Sequence, residues 1–96
     1  MTRLELRRRL DDRLRKTSAD LWPTVAERNQ VVRRVSQEYR ADARKHPWLV
    51  QEQADLYAGQ PVYVVHRALR KVFHHPLKAR AEAVKDALNS IEHGAG

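Results

Sequence analysis

The sequence has no cysteine, and its 96 residues include only three glycines and four prolines. Without cysteine there is no disulfide scaffold, no thiolate zinc finger and no thiol nucleophile. No stretch approaches the roughly 20 apolar residues that cross a bilayer. The first fifteen residues hold six arginines and no continuous apolar run, so they do not read as a secretory signal. Glycine-rich phosphate loops, nucleophile-elbow turns and isolated carboxylate pairs are also missing, so the expectation is that the protein is not an enzyme. No segment shows sustained alternation of polar and apolar residues, and strands are not expected.

What the chain does have is charge and a moderate apolar share. Lysine and arginine number 19 against 12 aspartates and glutamates, a net charge of +7, and 42% of residues are hydrophobic. At this length one hydrophobic core is expected. The expectation is a single soluble, cytoplasmic, basic domain over residues 1–93 with a flexible tail at 94–96 and no cofactor. An excess of positive charge points to a polyanionic partner, most often nucleic acid. Arginine outnumbers lysine 14 to 5, a bias that a GC-rich bacterial or phage genome would produce.

Apolar spacing predicts an all-α fold, a compact bundle of about five helices. A first helix is expected from Thr2 to Asp20, with Leu6, Leu10 and Leu14 on one stripe, ended by Trp22-Pro23. Thr24 and Glu27 have the spacing of a capping box and open a second helix that buries Val25, Val32, Val35 and Tyr39 and ends near Lys45. Pro47 would start a short third helix carrying Trp48, Leu49, Leu56 and Tyr57. Gly59 then closes that helix and Pro61 starts a fourth, running to about His74 with Val62, Val65, Leu69 and Val72 or Phe73 inward. Pro76 begins a fifth, with Leu77, Ala81, Val84, Leu88 and Ile91 on its buried stripe.

Charge is unevenly placed along this plan. Residues 61–80 carry five cations and no carboxylate, whereas residues 47–60 carry two carboxylates and no cation. On a helical wheel the outward stripe of the fourth helix is Tyr63, Arg67, Arg70 and His74, with Lys71 alongside and Gln60 at its amino-terminal mouth. Arginine forks onto the guanine edge, glutamine pairs with adenine, and tyrosine meets phosphate or a thymine methyl.

The run from Glu52 to Val72 resembles a helix-turn-helix: a short helix centred on Ala54, a turn containing Gly59, and a second helix with internal valines and Leu69. The segment Val65-His66-Arg67-Ala68-Leu69-Arg70-Lys71-Val72 is similar to the recognition helix of GntR-type bacterial repressors, which often read Val-x-x-Ala-Leu-x-x-Leu. The resemblance implies a helix-turn-helix over about 48–74 whose second helix enters the major groove. It assigns base contacts to Gln60, Tyr63, Arg67 and Arg70, and phosphate contacts then fall to Lys71, His74, Lys78 and Arg80. The sequence departs from that family in being one residue longer between Ala54 and Val65 and in having a helical pattern at 76–92 where the family has a wing.

The expected function is therefore sequence-specific binding of double-stranded DNA by a small transcriptional regulator. Leu6, Leu10 and Leu14 are a candidate dimer seam, since paired half-sites suit a homodimer. The competing reading is a basic helical adaptor, of antitoxin or phage-inhibitor type, docking on an acidic protein surface. Few exposed aromatics in loops argue against a single-stranded RNA module. The opening Leu6 to Asp12 and the run from Ala26 to Val35 also resemble small helical chorismate mutases, but the expected break near residue 59 falls where those enzymes need long helices. Five histidines, His46, His66, His74, His75 and His93, lack metal-ligand spacing, and no metal is expected.

Overall fold

The computed structural model describes residues 1–54 and 59–93. Helix α1, Arg3–Thr17, begins where the Thr2 hydroxyl accepts the Glu5 backbone N–H at 3.1 Å. It ends in a single 3₁₀ turn at Ala19–Leu21, and the Trp22 indole N–H donates to the Ser18 hydroxyl at 3.1 Å. Helix α2, Val25–Glu38, begins in the same way, with Thr24 accepting the Glu27 N–H at 3.1 Å. Only this half of the expected capping box forms, because the Glu27 carboxylate turns to Arg80 instead. Val32 and Val35 face inward, but Val25 is 60% exposed.

Beyond α2 the chain corrects the all-α expectation. The region expected to be a third and a fourth helix is an antiparallel meander of strands β1 (Leu49–Ala54), β2 (Pro61–Arg67) and β3 (Arg70–His75), in the order β1-β2-β3. Helix α3, Lys78–His93, completes an α-α-β-β-β-α order. Among the described residues, strands thus stand where the helix-turn-helix over 48–74 and its GntR-like recognition helix were expected. The physical reason is local: Val62, Tyr63, Val64 and Val65 in succession, then Val72 and Phe73, are β-branched and aromatic residues that lose rotamer freedom in a helix and pack well on a pleated surface. Leu56 and Tyr57 of the expected third helix, and the expected tail at 94–96, lie outside the described residues.

One face of the sheet carries the in-register sets Val50–Val65–Phe73 and Glu52–Tyr63–His75, and the other carries Gln51–Val64–His74. The valine and phenylalanine set packs under α2 and α3, while Gln51, Gln53, Lys71 and His74 are exposed. Between β2 and β3 the pairing steps from Val65↔Phe73 to His66↔Lys71, which leaves Val72 as an extra residue. This bulge lets the consecutive Val72 and Phe73 both be buried.

Helix α1 packs across α2 and α3. Leu6, Leu10 and Leu14 are fully buried there, together with Val35, Val84 and Leu88. The leucine stripe expected as a candidate dimer seam is therefore consumed by the protein's own core. Leu77, expected on the stripe of the last helix, lies just before α3 and is 47% exposed, while Ala81, Val84 and Leu88 are buried as expected.

Candidate nucleic-acid interface

The expected contact residues separate once the segment folds as a hairpin. Gln60 precedes β2 and Arg67 ends it, so roughly 20 Å of extended chain lies between them. They cannot form a single helical stripe.

Arg67 is the largest correction. Its side chain is buried, and Nη1 donates to Glu92 Oε1 at 2.5 Å while Nη2 donates to the Arg40 carbonyl. The guanidinium lies over the Trp48 ring, 4.1 Å from its centroid, and 5.6 Å from that of Tyr39. Glu92 also accepts the Trp48 indole N–H at 2.7 Å and the Tyr39 hydroxyl at 2.6 Å. Asn89 closes the cluster by accepting from the Trp48 N–H and donating to its carbonyl. Burial, and then the bond to Glu92, push the Tyr39 hydroxyl up to about 12. A guanidinium satisfied in this way holds the fold together and is unavailable to a base edge.

Arg80 and Tyr63 are also occupied. Arg80 pairs with Glu27, lies over Trp22 at 5.1 Å and sits 3.2 Å from His75 Nε2. Burial, and then the neighbouring Arg80, hold His75 below the ordinary histidine value. The Tyr63 ring packs against the core and its hydroxyl donates to Glu52 at 3.0 Å. That bond, with some burial, raises the Tyr63 hydroxyl above the usual tyrosine value.

Four of the expected contacts remain accessible besides Gln60: Arg70, Lys71, His74 and Lys78. Arg70 and Lys71 stand just after the two-residue turn Ala68-Leu69, and Lys71 Nζ donates to Gln53 at 3.2 Å. Because Arg67 is tied to the Arg40 carbonyl, the loop between α2 and β1 is drawn against this turn. The two segments border a hollow of about 260 Å³ lined by Arg40, Asp42, Trp48, Arg67, Ala68 and Arg70. The same loop supplies the exposed cations Arg44 and Lys45, with His46 beside them.

Sequence reasoning missed this convergence. It counted the cations at 40–46 as part of a helix, although Arg44-Lys45-His46 ahead of Pro47 reads equally as a basic loop. A second hollow, of about 530 Å³ between α1 and α3, is lined by Arg13, Glu82, Asp86 and Ser90 among others, and its two carboxylates against one cation do not suit a polyanion.

Among the described residues no group of three or more potential ligands could hold a metal ion, and no helix is long and apolar enough to cross a membrane. Neither family models nor searches of curated proteins and of solved structures give a match to this chain.

Proposed function

We propose that the protein binds double-stranded DNA through the basic end formed by the β2–β3 turn and the 40–46 loop. The observation that carries this reading is the meeting of Arg40 and Arg70 at one hollow, with Lys71 next in sequence and Asp42 the sole carboxylate in the lining. The turn and the loop stand at one end of the three-stranded sheet, from which their cations can reach phosphates bordering a groove. The sheet face opposite the helices adds the exposed Gln51, Gln53 and His74, which can pair with base edges or phosphates. Regulation of transcription through a preferred site belongs to the same proposal, with the hairpin in place of a recognition helix.

Fluorescence anisotropy on a labelled duplex, titrated with salt, tests it. Each phosphate neutralised contributes about 0.9 to the slope of log affinity against log salt. Arg70→Ala with Lys71→Ala is expected to lower that slope by about 1.8, and Arg44→Ala with Lys45→Ala to act similarly. Arg15→Ala, at a cation already paired with Asp12, leaves it unchanged. Equal losses from all three variants would mean that the charge acts generically and would overturn the assigned surface. An enriched sequence recovered from a random duplex library is the expected sign of site preference.

A further inference from the structure

The turn at the tip of the β2–β3 hairpin is strained and carries an apolar side chain into solvent. Ala68 and Leu69 have φ of +50° and +67°, the left-handed region, at both central positions. Turns of this mirror-image kind ordinarily use Asn-Gly because a Cβ crowds the backbone there. Leu69 is nevertheless a leucine and is 96% exposed, more than any other large hydrophobic residue described. A scattered exposed leucine needs no explanation. This one differs in its support and its neighbours. Directly beneath it, Arg67 is clamped by Glu92, Trp48 and the Arg40 carbonyl, so the tip is presented from a fixed base. Directly after it come Arg70 and Lys71, and the neighbouring Ala68 and Arg70 share a hollow with Arg40.

An apolar point with cations beside it is complementary to a stack of bases flanked by phosphates. The geometry points to Leu69 as a wedge that enters a base-pair step of duplex DNA and kinks it, while Arg70 and Lys71 neutralise the flanking phosphates. This rests on the DNA-binding reading above and adds a mode of action to it. Insertion of a leucine between base pairs costs unstacking, which the extra contacts of the bent duplex offset. The same cost makes a pre-weakened step a better target, so a duplex with a central mismatch is bound more tightly than its matched counterpart.

The test uses the full chain and a short duplex with donor and acceptor dyes at its ends. Wild type is expected to shorten the end-to-end distance and to favour the mismatched duplex severalfold. Leu69→Ala should still bind, leave the duplex straight and lose the mismatch preference. Ala68→Asn with Leu69→Gly, which installs a favoured turn and keeps the hairpin, should behave the same way, and circular dichroism melts verify that each variant is folded. Binding by wild type without bending, or bending that survives both turn variants, overturns the wedge and leaves the DNA reading intact. Absence of any duplex binding by wild type at low salt overturns both.

Discussion

Replacing Glu92 should be among the most damaging single changes to this fold. Its carboxylate is fully buried and accepts three hydrogen bonds, from Arg67, Trp48 and Tyr39. Glu92→Gln preserves shape and leaves an amide oxygen for Arg67 and Trp48, so the principal loss is the counter-charge of a buried guanidinium. Breaking a buried pair from one side costs about 3–5 kcal/mol. The isosteric glutamine belongs at the lower end of that range. Glu92→Ala belongs at the upper end, because two neutral donors are also left without an acceptor. Against a total stability of about 5–15 kcal/mol, the alanine variant is close to the limit of folding. Urea unfolding followed by tryptophan fluorescence reads the effect, since Trp48 is in the cluster. With about 4–8 °C per kcal/mol for a domain of this size, the glutamine variant should melt at least ~12 °C lower. A loss under about 1 kcal/mol would refute the reasoning, for it would place the pair in the range of solvent-screened surface bridges. A double-mutant cycle with Arg67→Met isolates the coupling, and the double variant should be less destabilised than the sum of the singles.

Three further outcomes follow from local chemistry. Ala68→Asn with Leu69→Gly relieves left-handed strain that costs on the order of 1–2 kcal/mol per residue, so thermal melting should show a stabler protein, offset in part by the looser unfolded chain. Because the folded protein holds His75 neutral, protonation favours the unfolded chain: stability is full above about pH 6.5 and declines as pH falls below it. The imidazole loses its acceptor for the Leu77 N–H and gains a charge beside Arg80, and His75→Phe should flatten the dependence seen in urea midpoints. Tyr39 has the opposite sign, since its hydroxyl is held protonated up to about 12. Stability should be complete below the ordinary tyrosine value of about 10 and decline between there and 12, with Tyr39→Phe removing that decline in alkaline unfolding curves.

The three long helices were legible because each announces itself locally. Thr24 with Glu27 marks a start, Trp22-Pro23 a stop, and the leucines at 6, 10 and 14 a buried stripe. The destination of that stripe was not legible, because one amphipathic face fits a second copy of the chain as well as α2 and α3. The hairpin was misread for three physical reasons. Val62, Val65, Leu69 and Val72 happen to match helical spacing. The bulge at Val72 breaks strand alternation, so Val72 and Phe73 are buried in succession. The turn lacks the Asn-Gly signature because Ala68-Leu69 occupies left-handed backbone without it. The density of β-branched residues from Val62 to Val65 was the signal that could have outweighed spacing. The site shared this fate: Arg70 and Lys71 remain at the surface, but their true neighbour, Arg40, lies far back in the sequence and is brought near only by the sheet.

The cluster around Arg67 also sets the order in which the protein can become itself. Its members come from the α2–β1 loop, β2 and the last turns of α3, so the acceptor that neutralises Arg67 is synthesised after every other member of the cluster. The same helix supplies Val84 and Leu88 to the leucines of α1. A nascent chain can therefore pair α1 with α2 and close the hairpin early, but both remain provisional, one with an open apolar face and the other with an uncompensated cation. Both halves therefore gain their native partners only when α3 is in place.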